Sequence, residues 1–426
     1  MKRVLIVTYY WPPAGGPGVQ RWLKFVKYLR DFDIEPLVYI PENPHYPISD
    51  PKLQSEIPGD ITILRHPIRE PYGLAKLFSK GKTNTISSGI ISEKKLSSIE
   101  KLMLFIRGNF FIPDARVGWV KPSAAFLKTY LQENNIDTII TTGPPHSLHL
   151  IGLKLKKELD INWVADFRDP WTSIHYHASL RLTKKSKNKH KKLEAEVLQT
   201  ADRVIVTSEG TKQEFQQLST TPVTVITNGF DEYLEENIES DSEFSISHIG
   251  SLLNDRNPEV LWKVLEKLKT EDKEFANDLR LRIAGVVSEE VMESIKAHKL
   301  FENLEFLGYV SHTEARKLQR AAKLLLIVEM DRRETRAIIP GKLFEYLSAR
   351  RPIIALGPKG SDMKAIIEDT SSGVFFEYSE KEMLKNQLKS YYSDYRNDRL
   401  KVDSQNIEQY SRRELSRKLA GLLKQL

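Results

Sequence analysis

A lysine and a glutamate lie three residues apart, at Lys342 and Glu345, directly after a turn formed by Pro340 and Gly341. Proline and glycine interrupt the preceding element, and proline is compatible with the first turn of a helix. The pattern therefore predicts a short helix whose first backbone N–H groups can bind phosphate. The lysine could then bind a diphosphate while the glutamate, on the same helix face, binds ribose hydroxyls. The alternative is an ordinary amphipathic helix with solvated charges.

Other side chains with possible chemistry follow short apolar runs, where predicted strands end. They are Gly15, Gly16, His146, Asp166, Arg168, Asp169, Gly250, Ser251 and Arg256. Ligands of open α/β sheets bind at the carboxyl ends of strands, so these positions predict a ligand cleft between facing domains. Gly15 and Gly16 belong to a glycine-rich loop that lets backbone amides approach a phosphate or sugar. His146 could instead be a helix-capping or core histidine.

The length of the chain and its alternation of strands with helices predict two domains. With 426 residues the chain exceeds what one hydrophobic core usually organises. A first domain, residues 1–230, begins with a strand from Arg3 to Tyr10. An acidic linker follows, and a second domain, residues 244–407, precedes a final helix over residues 408–426. The fold class is therefore α/β, with two doubly wound, Rossmann-like domains.

Composition restricts the compartment and the classes of partner. The chain has no cysteine, which excludes disulfides, thiolate metal sites and a cysteine nucleophile and fits the reducing cytoplasm. No apolar run is long enough to span a membrane, and the short run near Met1 lacks a signal-peptide cleavage site. Zinc-finger and RNP-type motifs do not occur, so we expect no nucleic-acid partner.

Basic residues in the first domain indicate a possible anionic partner. The net charge is +7, and one lysine run comprises Lys184, Lys185, Lys187, Lys189, Lys191 and Lys192. Such a run could bind an anionic membrane or a phosphorylated acceptor, or it could be a solvated loop. The stretch from Leu96 to Phe111 is amphipathic and could form an interfacial helix, although core packing is the commoner role. We therefore expect a cytoplasmic protein that can associate peripherally with the inner face of the plasma membrane.

Several segments resemble GT-B glycosyltransferases of the family-four type. They are Pro340 to Leu347 with Arg351-Pro352, Trp163 to Trp171, Thr142 to Ser147, Ile112 to Trp119, and Val225 to Asp231. The resemblance implies that Glu345 binds the ribose of a nucleotide sugar and that the final helix crosses back to the first domain. It also implies a reaction that retains the anomeric configuration.

One departure from the family pattern concerns the donor sugar. Ala337 occupies the position, eight residues before Glu345, where relatives usually carry a second glutamate. That glutamate normally holds donor sugar hydroxyls, so Glu334 or Thr335 would have to substitute, or the sugar is held differently. This departure is also the feature that favours a non-catalytic relative.

Three further departures concern charged side chains. Arg168 stands where many relatives carry a sugar-contacting histidine, and Ser251 stands where an arginine is common. Arg256 replaces a lysine. A guanidinium can bind two phosphate oxygens at once, so this last replacement preserves the role.

The resemblance implies transfer of a sugar from a nucleotide sugar to a glycan or lipid-linked acceptor in surface polysaccharide or glycolipid biosynthesis. We expect Arg256, Lys342 and the helix start at Gly341 to neutralise the departing nucleoside diphosphate, without a metal or another cofactor. Asp169 and His146 are the candidates for orienting or deprotonating the acceptor hydroxyl. The alternatives are another GT-B enzyme, such as a nucleotide-sugar epimerase or hydrolase, and a non-catalytic glycan-binding relative.

Overall fold

The chain divides into two compact units. The computed structural model describes residues 1–70, 98–174, 177, 180–231 and 238–426. The first unit comprises residues 1–228 together with 412–426, and the second comprises residues 229–411. Part of the predicted acidic linker, residues 232–237, lies outside the described residues, as do Leu96 and Ser97 of the predicted amphipathic stretch.

A parallel sheet of seven strands forms the centre of the first unit. The strands are β1 Lys2–Val7, β2 Ile34–Pro41, β3 Ile63–His66, β4 Thr138–Gly143, β5 Asn162–Phe167, β6 Arg203–Val206 and β7 Val223–Val225. Their order in the sheet is β3-β2-β1-β4-β5-β6-β7. The central strands are continuously apolar because helices cover both faces of the sheet. In β1, for example, Val4 through Val7 are fully buried.

Helices on both faces complete the first unit. They are α1 Pro17–Leu29, α2 Ser98–Phe110, α3 Val120–Glu133, α4 Ser147–Glu158, α5 Lys184–Thr200, α6 Glu209–Leu218 and a C-terminal helix, Arg412–Leu423. Trp22 and Val26 on α1 share one core with Leu419 and Leu423 of the C-terminal helix. This last helix begins four residues later than predicted, because residues 407–410 form a short 3-10 turn.

The second unit contains a parallel sheet of six strands. The strands are β8 Phe244–Ile249, β9 Leu279–Ala284, β10 Leu304–Gly308, β11 Leu324–Val328, β12 Ile353–Gly357 and β13 Gly373–Glu377, in the order β10-β9-β8-β11-β12-β13. Its helices are α7 Glu259–Glu271, α8 Lys273–Asp278, α9 Glu289–Ala297, α10 His312–Ala321, α11 Lys342–Ala349, α12 Asp362–Asp369 and α13 Lys381–Arg396. The predicted α/β class with two Rossmann-like halves is confirmed.

The helix that carries Lys342 and Glu345 forms as the sequence predicts. It begins after Pro340 and Gly341, and Arg350 ends it in the left-handed region at φ 52°. Its apolar residues Leu343, Phe344 and Leu347 are fully buried, which holds the helix against the sheet. In the described part of the chain, no helix has the length and apolar character needed to cross a bilayer.

Candidate active site

Lys342 lies across the turn that follows β8. Gly250, the first residue of this turn, has φ 132°, a conformation that side-chain-bearing residues rarely adopt. A Cβ at this position would also lie only 2.6 Å from Lys342 Nζ. The turn therefore favours glycine, and the absence of a Cβ leaves the lysine side chain in this position. The ammonium ends 3.1 Å from Nε2 of His248, a fully buried residue of β8.

Arg256 lies in the loop after the same strand and pairs with Glu329. Its Nε and Nη2 donate to the two carboxylate oxygens of Glu329, at 3.2 and 3.3 Å. Glu329 is fully buried directly after β11, and its carboxylate also accepts from the amide of Met330 at 2.8 Å. One edge of the guanidinium, which the sequence predicts to bind phosphate, is thus occupied by a carboxylate. The N–H groups of its other edge can still bind an oxyanion.

The electrostatics of this site favour an anion. Burial, and secondarily the positive charge of Arg256, lower the pKa of Lys342 to about 8, while Glu329 and Glu345 act in the opposite direction. Lys342 is therefore protonated at neutral pH. We call Lys342, Arg256, His248 and Glu329 the cation cluster. Two cations and one carboxylate give it a net positive charge, which suits a diphosphate.

Glu345 lies one turn further along α11. Its carboxylate accepts a hydrogen bond from Gln319 Nε2 at 2.9 Å and lies 3.3 Å from His312 Nε2, both on α10. Among the described residues no side chain caps the helix at Gly341. The amides of Leu343 and Phe344 donate to the carbonyls of Pro340 and Gly341, so the candidates for phosphate are the amides of Gly341 and Lys342.

The loop before α11 contains the predicted substitutes for the missing glutamate. Thr335 is fully buried, and its hydroxyl lies 2.8 Å from the carbonyl of Met330 and 2.9 Å from that of Arg332. This hydroxyl therefore stabilises the loop and does not point to a ligand. Glu334 is exposed, and so is Ser251 in the turn after β8.

In the first unit, His146 is a buried neutral histidine. Its ring stacks on Trp171, with centroids 5.1 Å apart and planes 2° apart, and its residue exposure is 8%. Burial and, to a smaller extent, the neighbouring His149 and Arg168 lower its pKa well below the ordinary value. Within the described residues neither ring nitrogen has a hydrogen-bond partner. The lowered pKa makes the ring a weak base, and in this arrangement both of its nitrogens are buried.

Arg168 and Asp169 follow β5 and pair weakly with each other, at 3.4 Å. The guanidinium of Arg168 lies against Gly18 at the start of α1, where a Cβ would come within 1.5 Å of Nη1. Asp169 is the more exposed of the pair. The absence of a side chain at Gly18 thus allows the Arg168 guanidinium to lie against the first turn of α1.

The two glycines of the first loop have different roles. The amide of Gly15 donates to the carbonyl of Ile48 at 3.0 Å, and a Cβ on Gly15 would lie 2.9 Å from that isoleucine's side chain. Gly15 therefore packs within the protein. Gly16 precedes α1 with φ 103°, and the space beside its Cα is open within 4 Å. Of the two, Gly16 is the better candidate for contact with a ligand.

Asp166, another residue at a strand end, has a structural role. It is fully buried and forms an ion pair with Arg21 at 3.0 Å. Trp22 Nε1 and the Thr142 hydroxyl also donate to it, at 3.0 and 2.9 Å. The guanidinium of Arg21 in turn donates to the carbonyls of residues 226 and 227. These three interactions of Asp166 therefore join α1, β4 and β5.

The structure brings Gly250, Arg256 and Lys342 together, and it adds two residues that the sequence analysis missed. Glu329 could have been noticed because it follows the apolar strand β11 directly. His248 gave a weaker signal, as a polar residue inside a strand. In the described ranges no group of three or more His, Cys, Asp or Glu side chains is arranged to hold a metal ion. That the reaction needs no metal stays a prediction.

Two models of known protein families match the chain. Glycosyltransferase Family 4 matches residues 96–233, and Glycosyl transferases group 1 matches residues 230–412. No curated protein sequence matches the chain.

Solved structures with the same fold share little sequence. A glycosyltransferase from Rickettsia africae ESF-5 has a TM-score of 0.64 at 14% identity, covering 100% of this chain and 98% of that chain. Anabaena Alr3699/HepE in complex with UDP has a TM-score of 0.62 at 15% identity, with full coverage of both chains (100% and 100%). Its complex with UDP-glucose gives 0.61 at 14% identity, again covering 100% of each chain. Since the two family models together match most of the sequence, the chain belongs to the GT-B glycosyltransferases of the family-four type.

Proposed function

We propose that the protein transfers a sugar from a nucleotide-sugar donor to a glycan or lipid-linked acceptor, in the biosynthesis of a surface polysaccharide or glycolipid. The observation that carries this proposal is the cation cluster, with Lys342 over Gly250 at the start of α11 and Arg256 beside it. Alr3699/HepE, which has the same fold, was solved with UDP and with UDP-glucose. A diphosphate donor is the ligand class that best fits a positively charged helix start.

In this proposal the cation cluster stabilises the leaving group. Negative charge grows on the leaving oxygen of the nucleoside diphosphate as the bond to the sugar breaks. Lys342 and the outer edge of Arg256 are fixed charges that stabilise this oxygen without reorganisation, which lowers the barrier. Glu345 accepts hydrogen bonds from the ribose hydroxyls, held in place by Gln319. The reaction retains the anomeric configuration and needs no divalent cation.

The acceptor is bound by residues of the first unit. Asp169, the more exposed side chain of its pair, orients and deprotonates the acceptor hydroxyl, while His146, whose two ring nitrogens are buried, supports the site by packing against Trp171. Arg168 stabilises negative charge near the start of α1. Because the pKa of His146 lies well below its ordinary value, its protonation does not limit activity at neutral pH.

The surface of the first unit suits an anionic membrane. Leu102, Phe105, Ile106 and Phe110 form one exposed face of α2, while Leu104 on the opposite side is buried. Asn109 connects this helix to the segment before α5. Its Oδ1 accepts from the backbone N–H of Thr183 at 2.8 Å, and its Nδ2 donates to the carbonyl of Arg181 at 3.2 Å. The lysines at the start of α5 are exposed. Apolar side chains beside lysines are the pattern of a peripheral membrane site, which would bring the enzyme to a lipid-linked acceptor.

The donor proposal is tested by turnover. Purified protein is incubated with UDP-, GDP- and ADP-sugars, with and without a membrane extract as a source of acceptor, and release of nucleoside diphosphate is measured. Acceptor-dependent release from at least one donor supports the proposal. Release that does not depend on acceptor would indicate a hydrolase, whereas binding without release would indicate a non-catalytic relative.

The membrane proposal is tested with vesicles of anionic and of neutral lipid. Replacement of Lys184, Lys185 and Lys187 by glutamine should weaken binding to anionic vesicles by about 1 kcal/mol for each lysine that lies near the surface. A matched control replaces three exposed lysines of the second unit, Lys263, Lys267 and Lys359. Equal binding to both vesicle types, or equal loss in the two triple variants, would contradict the proposal.

A further inference from the structure

His248 is a buried histidine whose protonation state can be assigned from its neighbours. Its Nδ1 lies 2.9 Å from the carbonyl oxygen of Leu326 on β11. A carbonyl can only accept, so Nδ1 carries the proton. Burial and the positive charge of Lys342 lower the pKa of His248 to about 3. The ring is therefore neutral at physiological pH, and Nε2 has a free lone pair.

That lone pair faces Lys342. The ammonium of Lys342 has only donors and lies 3.1 Å from Nε2, so it donates to the ring. The carbonyl of Ser251 lies 3.3 Å from the same nitrogen but cannot donate to it. Gly250 leaves room for the lysine side chain to reach this position. The charged groups around the ammonium are Arg256, Glu329 and Glu345.

The two cations of the cluster are held in different ways. Arg256 is held by a carboxylate, so the pair Arg256–Glu329 has no net charge. Lys342 is held by a neutral ring, so the pair Lys342–His248 keeps a full positive charge. A carboxylate in place of the ring would fix the lysine equally well, but it would also compete with an anionic ligand.

We infer that His248 is a positioning residue, whose neutral imidazole fixes the Lys342 ammonium over Gly250 and leaves its full charge for the donor diphosphate. This inference rests on the proposed function. His248 does not touch the substrate. It acts through Lys342, because its Nε2 accepts a hydrogen bond from the ammonium without neutralising the charge.

A matched pair of variants separates positioning from packing. His248→Gln places an amide oxygen near the position of Nε2 and keeps an acceptor for Lys342. His248→Asn places its amide near Nδ1 and keeps a donor for the Leu326 carbonyl, but it removes the acceptor. UDP, GDP and ADP are titrated into wild type and both variants by calorimetry between pH 6 and about 9.5, and thermal stability is measured in parallel.

If His248 positions Lys342, His248→Asn should weaken the tightest diphosphate by about tenfold, which corresponds to one hydrogen bond of a charged group. In His248→Asn, the pH above which the affinity for this diphosphate declines should also differ from that of wild type. His248→Gln should remain within about threefold of wild type. Equal weakening in both variants, or no weakening in either, would overturn the inference alone. Failure of wild type to bind all three diphosphates would overturn the proposed function and the inference together.

A measurement on the wild-type protein tests the hydrogen bond even if a variant does not fold. Nitrogen chemical shifts of the His248 ring should report a neutral Nδ1–H tautomer throughout pH 5.5 to about 9, as expected for a group with a strongly lowered pKa. An imidazolium or an Nε2–H tautomer would overturn the inference, because Nε2 could not then accept from Lys342.

Discussion

The carboxyl edges of the two sheets carry charged residues in contrasting states. In the first unit, the buried Asp166 accepts from Arg21, Trp22 and Thr142, so its hydrogen-bonding capacity is used within the protein. In the second unit, Lys342 is partly buried and bound only through a neutral ring among the described residues. In the sequence the two residues look similar, because Asp166 ends an apolar strand and Lys342 follows a glycine that begins a helix. The difference lies in the partner, since a complete ion pair serves stability and an unneutralised cation can serve a ligand.

The largest expected effect concerns the ion pair of the first unit. Arg21→Met should leave the Asp166 carboxylate buried without its cation, which typically costs about 3–5 kcal/mol of unfolding free energy. Chemical denaturation measures this loss. Lys27→Met on the same helix is the control, because Lys27 is exposed. If Arg21→Met unfolds at the same denaturant concentration as the control, the pair is not structural and the comparison between the edges fails.

The next effect concerns catalysis by Arg256. Arg256→Ala should lower kcat by a factor on the order of 10²–10³, as the loss of one preorganised stabiliser does. The same substitution also leaves Glu329 buried without its cation, so stability must be measured as well. The double variant with Glu329→Gln removes this uncompensated charge. If the double variant regains wild-type kcat, Arg256 matters only as the partner of Glu329, and the diphosphate is bound elsewhere.

A smaller effect concerns Glu345. Glu345→Gln should weaken nucleoside diphosphate binding by roughly 1.5–3 kcal/mol, the range for a hydrogen bond to a charged group. Glu334→Gln is a suitable control, because this exposed residue precedes the same helix. Calorimetry on the two folded variants gives the difference. Unchanged affinity in Glu345→Gln would show that the ribose is not bound by this carboxylate.

The sequence predicted the elements well because they follow from local chemistry. Pro340 and Gly341 determine the start of α11, and the apolar run after Pro352 determines β12. The start of the C-terminal helix was predicted four residues too early, because no single residue signals the 3-10 turn at residues 407–410. The last strand, Gly373–Glu377, was missed because Glu377 and its polar surroundings interrupt the apolar pattern.

The candidate site was predicted only in part, because pairing is a tertiary property. The sequence indicated Lys342 and Arg256 as cations, but their partners His248 and Glu329 lie 94 and 73 residues away in the chain. Without these partners one could not tell that the arginine is neutralised and the lysine is not. For the same reason Asp166 was grouped with the ligand-binding candidates, although its carboxylate forms an ion pair with Arg21.

The central claim is that Lys342 is the charge that binds the donor diphosphate, and calorimetric titration of UDP, GDP and ADP into wild type and Lys342→Met tests it most directly. The pKa of Lys342 is lowered to about 8, so the ammonium is present below this pH and is lost as the pH rises through it. We predict that the wild-type affinity for the preferred diphosphate declines above this pH. In Lys342→Met it should be at least about tenfold weaker at neutral pH and lack this decline. Lys385→Met controls for loss of a lysine, because Lys385 pairs with Glu271 at 2.6 Å. A folded Lys342→Met that binds as tightly as wild type would contradict the account.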